Sequence, residues 1–437
     1  MEANSFLELS RNRLSTLITL KMKHFILLLL TVSFSNYMTA QTLSTDYIKK
    51  HTNHFTIENG EFNGNGKKVI KKMINSSQFI TYGENHGSEQ ISLITKAFMP
   101  LLKKSGFQHF AIEVGPNSAQ KLSDLSTPPS ETVKNLYAFN SGYTVTQGDE
   151  TAIPIPFFDG VSDAEFLQVA RANGMNLWGL DQEYYFSPFF LMDEMVSTVK
   201  GTSDYEKINQ LKQLAQRAMY QHFIAEAQNK IDNAYPLIKK EKAVQDFLNA
   251  FDKGNDKAQK IISDMKISWD IYIHWRNDSH ADRISYMRNN FMTSYNKALQ
   301  NERTPKVFTK IGSLHAGKLY TNGAFDIGHL TEELAKKNKT KSASINTWVS
   351  FSETEKGLQN NFEKYKRSFK RYTLLTQFAK KDQWTIINLK NIRKDIIAGK
   401  INLPSNGDYH KLRKLIFSYD YQLITPIDKD PTPNRKK

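Results

Sequence analysis

The chain has no cysteine among its 437 residues. That removes disulfide frameworks, thiolate nucleophiles and thiolate metal sites together, along with a lipid anchor on an amino-terminal cysteine. Also missing is an apolar run of the roughly 20 residues that a membrane-spanning helix needs. There is no Gly-x-Ser-x-Gly elbow, so Ser88 and Ser313 lack the setting of a serine nucleophile. No internal repeat is present, and no low-complexity tract precedes the carboxyl-terminal tail.

The amino-terminal end carries Lys21-Met22-Lys23-His24, an apolar run from Phe25 to Phe34, and small or polar residues up to Ala40. This order predicts a secretory signal peptide over residues 1–40, cleaved between Ala40 and Gln41, with the true start near Met22. A secreted or periplasmic location and a protein without a membrane span after cleavage follow. The formal net charge of +15 permits an anionic partner. The lysines are scattered along the wet faces of amphipathic segments, however, and read as a solvated surface, with no nucleic-acid groove.

From about residue 66, short apolar segments alternate with amphipathic ones, the order of an α/β fold with a mostly parallel sheet flanked by helices. Strands are expected at Gln78–Gly83, Phe107–Val114, Asn176–Leu180, Val307–Ile311, Ser342–Val349, Trp384–Leu389 and Leu415–Leu423, and helices at Glu89–Lys104 and Asp163–Asn173. The stretch Ser126–Pro156, with four prolines, reads as a surface loop near the site or as disorder. Residues 41–185 form the first part of the α/β domain and 301–425 the second. Between them, 186–300 reads as a large helical insertion over the carboxyl edge of the strands, and 426–437 as a frayed tail.

Two segments share a grammar. Phe79-Ile80-Thr81-Tyr82-Gly83-Glu84-Asn85-His86 and Val307-Phe308-Thr309-Lys310-Ile311-Gly312-Ser313-Leu314-His315 each run from strand to glycine, with a histidine three positions later. Two further strands end in Glu113 and Asp181. In parallel sheets ligands bind at the carboxyl ends of strands, so imidazoles and carboxylates are expected to gather there. Each residue alone has a duller reading as a turn or helix cap; the coincidence favours chemistry.

Two mechanisms use such a set. In one, His86 or His315 takes a proton from water, Glu84 or Glu113 fixes the tautomer, and an arginine steadies the oxyanion. In the other, His86, His315 and Glu113 hold a divalent metal that acidifies a bound water. Aromatic residues of the loop and insertion, among them Tyr137, Tyr143, Phe157, Phe158, Tyr184, Tyr185, Phe186, Phe189 and Phe190, would line a pocket or fill the core.

The run Gly83–Gly87, the strand-end Glu113, the helical pattern Arg283-x-x-x-Met287-x-x-Asn290 and the late His315 resemble, in order, the motifs of the erythromycin esterase-like family. That family belongs to a larger group with the TIKI and TraB proteases and the ChaN haem-uptake proteins, in which a Gly-x-x-His motif occurs twice. Gly83–His86 and Gly312–His315 look like that pair. The close Glu84–His86 spacing and the single late histidine lean toward the TIKI and ChaN side; the Arg283–Asn290 pattern leans toward the esterases. The resemblance implies a hydrolase of an ester or amide in a small molecule. His86 would be the general base, Glu84 and Glu113 its tuning carboxylates, His315 the second imidazole and Arg283 the oxyanion or substrate contact, with Asn290 and Asp181 binding substrate. This reading needs no cofactor. The alternatives are a haem- or metal-binding protein without turnover, or a metal-dependent peptidase.

Overall fold

The computed structural model describes residues 41–147, 150–274, 280–320, 323–403 and 409–436. The expected signal peptide therefore lies outside the described residues. Following the chain, β1 (Thr52–Glu58) and β2 (Glu61–Asn63) form a hairpin about Asn59 and Gly60, both at positive φ. Then come β3 (Phe79–Glu84), α1 (Glu89–Lys104), β4 (His109–Ile112), α2 (Pro116–Leu125), α3 (Thr132–Tyr143), α4 (Val161–Ala172) and β5 (Asn176–Gly179). A helical stretch follows, built on α5 (Pro188–Ser197), α6 (Tyr205–Ala227), α7 (Lys242–Asn249), α8 (Asp256–Ile273) and α9 (His280–Leu299). The sheet resumes with β6 (Val307–Gly312), β7 (Ser342–Trp348), β8 (Trp384–Asn388) and β9 (Tyr421–Ile424), with α10 (Ile327–Lys337) between β6 and β7.

The strand order is β2-β1-β8-β9-β7-β3-β6-β4-β5. From β9 to β5 every pairing is parallel; β8, β1 and β2 extend the sheet by antiparallel pairing. Parallel strands covered on both faces are mostly apolar, and every residue of β3 and β6 is buried, the polar Thr81, Glu84, Thr309 and Lys310 included. Alternate side chains feed two cores. Ile80, Tyr82, Phe110 and Phe308 join one, where Tyr82 stacks on Phe308 and meets Phe98 edge to face while Phe98 and Phe110 meet Phe308 at a tilt; Phe79, Ala111, Val307 and Ile311 join the other. Each of these apart from Ala111 contributes roughly 1.5–3 kcal/mol by leaving water.

Three expectations differ from the structure. The segment Leu415–Leu423 divides into a helix, Tyr409–Ser418, and β9, because Leu412, Leu415 and Ile416 bury one face at helical spacing. The described residues of the proline-rich stretch 126–156 include α3 and two short paired strands, Val145–Gln147 and Glu150–Ala152. The tail is anchored where fraying was expected. Ile427 pairs beside Phe351, the Val161 N–H donates to Thr432 O at 2.8 Å, the Asn434 N–H donates to Asp159 O at 2.6 Å, and Asn434 is buried. Backbone hydrogen bonds to neighbouring segments replace the regular structure that its prolines forbid.

Candidate active site

The register explains the two glycines. β3 and β6 are neighbours with Tyr82 beside Lys310 and Glu84 beside Gly312. A Cβ on Gly83 would stand 2.6 Å from Ile345 O, and one on Gly312 would stand 3.1 Å from His86 Nε2 and 3.3 Å from Glu113 Oε2. At Gly83 a side chain would drive into the Ile345 carbonyl of neighbouring β7 and the 313–316 turn packed against it; at Gly312 it would only press on an imidazole and a carboxylate, which would shift by a few tenths of an ångström.

Glu84 and Lys310 fall on the same sheet face by the two-residue period, and Lys310 Nζ lies 2.5 Å from Glu84 Oε2. The other oxygen, Oε1, is 3.5 Å from His86 Nδ1. Burial alone would raise the Glu84 carboxyl, but the Lys310 ammonium and the His86 imidazole outweigh it and hold it at about 2. His86 is 43% exposed, with Nε2 3.9 Å from Glu113 Oε2 and its ring stacked on Phe157 at 4.2 Å between centroids. Burial acts to lower this imidazole; the carboxylates of Glu84 and then Glu113 outweigh it and raise its pKa above the ordinary value. Phe157 holds its ring there from a backbone at φ 65°, uncommon for a residue with a side chain.

Glu113 accepts from the Gly312 N–H at 2.5 Å and from Arg283 Nη2 at 2.8 Å. Arg283, on the first turn of α9, also grips Asp181 with two hydrogen bonds, Nε to Oδ1 at 2.9 Å and Nη2 to Oδ2 at 2.5 Å, and Nε reaches Gln182 Oε1 at 3.1 Å. Paired with two buried carboxylates, its pKa is raised despite the opposing effect of burial. Behind it, His315 donates from Nδ1 to Asp326 Oδ2 at 2.7 Å, which leaves Nε2 of the neutral ring to accept from Arg283 Nη1 at 3.3 Å. Burial acts to lower His315, while Asp326 and Glu113 raise it. Asp326 is itself fixed, its Oδ1 accepting from the Ile327 N–H at the start of α10.

These groups form the floor of a cavity of about 880 Å³. Glu84, His86, Glu113, Asp181 and Arg283 all line it; His315 and Asn290 do not. His315 is 6% exposed and sits beneath Arg283, while Asn290 donates to Leu180 O at 2.9 Å and ties α9 to the end of β5. The metal set expected from sequence is placed differently as well. The described residues whose donor atoms lie within 4.8 Å of one another are Glu84, His86 and Glu113; His315, with Nδ1 on Asp326 and Nε2 3.5 Å from Glu113 Oε1, is not one of them. Of the aromatic residues, Phe157, Tyr184, Tyr185 and Phe186 line the cavity, Phe158 and Phe190 are core, and Tyr137 is exposed.

Sequence reasoning passed over Lys310 and Asp326. A lysine inside a strand buried on both faces demands a carboxylate partner, and that signal was readable. Asp326, eleven residues beyond His315, stands just before a helix, where an aspartate is common as a cap, and carried no signal of its own. The cap of α2 was also unforeseen. It is Glu183, which accepts from Asn117 N at 2.7 Å and Ser118 Oγ at 2.5 Å, and whose carboxyl burial raises to about 7.

No family model matches the chain, and no curated protein matches it. Solved structures similar to it include a Bacillus cereus protein, 13% identical over 89% of this chain and 98% of that one, with a TM-score of 0.50. A succinoglycan biosynthesis protein is 14% identical over 89% and 97%, also at 0.50. A mutant of the erythromycin esterase EreC in its open conformation is 12% identical over 90% and 99%, at 0.46. At these identities what the likeness to the first two establishes is the fold, an α/β architecture shared along nearly the whole chain.

Proposed function

We propose that the protein is an exported hydrolase that cleaves an ester or amide bond with water activated by His86. The observation that carries this reading is the setting of His86. It is the half-exposed imidazole on the cavity floor, with Glu84 on Nδ1 and a gap of 3.9 Å between Nε2 and Glu113. With Nδ1–H directed at Glu84, Nε2 is left as the base. A gap of that length suits a bridging water, since direct hydrogen bonds are shorter.

In the proposed reaction His86 Nε2 takes a proton from this water as its oxygen attacks the substrate carbonyl. The imidazolium is stabilised by Glu84, and the developing oxyanion faces Arg283, whose orientation Asp181, Glu113 and His315 fix. The proton on His86 then passes to the leaving alcohol or amine. Asp181 and His315 act through Arg283, as positioning residues.

The donor set supports water activation without a metal. Glu84 already holds the Lys310 ammonium, and Glu113 holds Arg283 and the Gly312 N–H, so a divalent ion among Glu84, His86 and Glu113 would compete with cations in contact with the same carboxylates. Haem ligation by both histidines finds little support, since His315 has both ring nitrogens engaged below the cavity floor.

The test is hydrolysis of a panel of aryl esters and amides by the purified protein, with and without chelator. Turnover that survives chelation and falls about 10²–10⁴-fold in His86→Ala is expected. Turnover abolished by chelator and restored by a divalent ion would replace this reading with the metal-dependent peptidase.

A further inference from the structure

The polar contacts of the half-exposed His86 ring are long, with Nδ1 3.5 Å from Glu84 and Nε2 3.9 Å from Glu113. Contacts of that length restrain an imidazole weakly, since direct hydrogen bonds are shorter and more directional. His315, by contrast, is buried with Nδ1 2.7 Å from Asp326. What defines the plane of the His86 ring is Phe157, stacked on it at 4.2 Å between centroids and 14° between planes.

Phe157 reaches that position against its own backbone preference. It stands at φ 65°, a region that a bulky residue rarely adopts and that persists only where the surroundings dictate it. They dictate it from both sides. Before Phe157, Ser187 Oγ at the start of α5 donates to Pro154 O at 2.8 Å, and Ile155 is fully buried. After it, the buried Asn140 of α3 donates from Nδ2 to Phe158 O at 3.0 Å, and the Phe158 side chain is core. The Gly160 N–H then donates to Asp163 Oδ2 at 3.0 Å, in the first turn of α4. Three helices thus pin the chain on either side of the strained residue, and the ring of that residue lies on His86. Strain concentrated at one position of an anchored loop marks its side chain as the one the fold holds in place.

We propose that Phe157 is a positioning residue for His86, its ring fixing the imidazole plane so that Nδ1–H points at Glu84 and Nε2 at the gap before Glu113. The imidazolium formed when His86 takes a proton also faces an aromatic surface, which favours the cation. The consequence for turnover rests on the hydrolase reading; the orientation of the ring does not.

Nuclear magnetic resonance of the protein carrying isotope-labelled histidine reads the orientation without turnover. At alkaline pH, where the ring is neutral, the His86 ring protons, assigned with His86→Gln, should be shifted upfield by the Phe157 ring current. The ring nitrogens should report one tautomer, with the proton on Nδ1. Phe157→Leu should lose the upfield shift and give nitrogens averaged between tautomers, while Phe157→Tyr should keep both signatures. On an aryl ester, kcat should fall about 10–10²-fold in Phe157→Leu and return to within about threefold of wild type in Phe157→Tyr. Glycine adopts φ 65° without strain, so Phe157→Gly keeps the fold while losing the ring, and its kcat should fall as far as that of Phe157→Leu. An unshifted His86 in the wild type, a single tautomer retained in Phe157→Leu, or an undiminished kcat in Phe157→Leu would overturn the inference. Absence of ester turnover from the wild type, with both signatures present there and lost in Phe157→Leu, would instead count against the hydrolase reading alone.

Discussion

Lys310 and Glu84 form an ion pair of 2.5 Å across adjacent parallel strands, with side chains 5% and 4% exposed. Such a pair is costly to bury and costly to break, because removing one member strands the other charge in a medium that solvates it poorly. It also links the sheet to the chemistry, since the second oxygen of Glu84 faces His86.

Lys310→Met should therefore destabilise the protein by about 3–5 kcal/mol, read as a lower midpoint in urea unfolding near neutral pH. A loss under about 1 kcal/mol would mean that the pair is solvated in solution. The same pair sets an acid limit. Glu84 is held at about 2, below its value in the unfolded chain, so its stabilisation is present above the unfolded pKa and is lost as pH falls toward 2. The wild type should lose stability across that window, and Glu84→Gln should lose less.

The pH–rate profile follows from His86. As a base it works neutral, and its pKa is raised by Glu84 and Glu113, so kcat/KM should climb with pH through an inflection above the ordinary 6.5. Glu84→Gln removes the larger of the two raising influences and should move that inflection downward while lowering the plateau. An inflection that stays in place in Glu84→Gln would assign the titration to another group, with His315 first in line.

How much of this was legible in sequence depended on whether the signal was local. β3, α1 and β6 were readable within a residue or so, since unbroken apolar runs and a 3.6-residue period are local patterns. The hairpin of β1 and β2 was not, because an antiparallel edge strand of mixed polarity carries a weak pattern even with Asn59-Gly60 at its turn. The gathering of Glu84, His86, Glu113, Asp181 and Arg283 followed from strand ends and a family-like motif. That His315 lies below the floor did not, because strand-end position fixes neither the depth of a side chain nor its hydrogen-bond partner. Asp326 supplies that partner from a helix start that sequence pattern treats as a mere cap.

Gly312→Ala tests the space between His86 and Glu113. The backbone there, at φ −53°, accepts alanine without strain, so the fold should survive with Tm little changed. The new methyl would stand 3.1 Å from His86 Nε2 and 3.3 Å from Glu113 Oε2, where the proposed water belongs. A fall in kcat of about 10²-fold is expected. An active Gly312→Ala protein would place the reacting water elsewhere.

The carboxyl-terminal strap gives the last test, because it reaches the cavity without carrying a proposed catalytic group. Asp430, Pro431, Pro433 and Arg435 form part of the wall. They are held there by the Glu89 N–H donating to Lys429 O at 3.1 Å, the Val161 N–H donating to Thr432 O at 2.8 Å, and the Arg435 pair with Asp159. Ending the chain after Asp428 keeps the hydrogen bond from the Gln90 N–H to Asp428 and removes the wall. It should raise KM about tenfold, the equivalent of roughly 1.4 kcal/mol of lost contact, with kcat nearly unchanged because His86, Glu113 and Arg283 are anchored by other elements. Arg435→Ala separates wall from charge. It leaves the strap's backbone in place and breaks only the Asp159 pair, so it should change KM for a neutral ester little, while the truncation weakens binding of every ester. If the truncated protein kept its KM, the strap would be a structural tie alone, and the cavity would be bounded by the aromatic residues of the helical stretch.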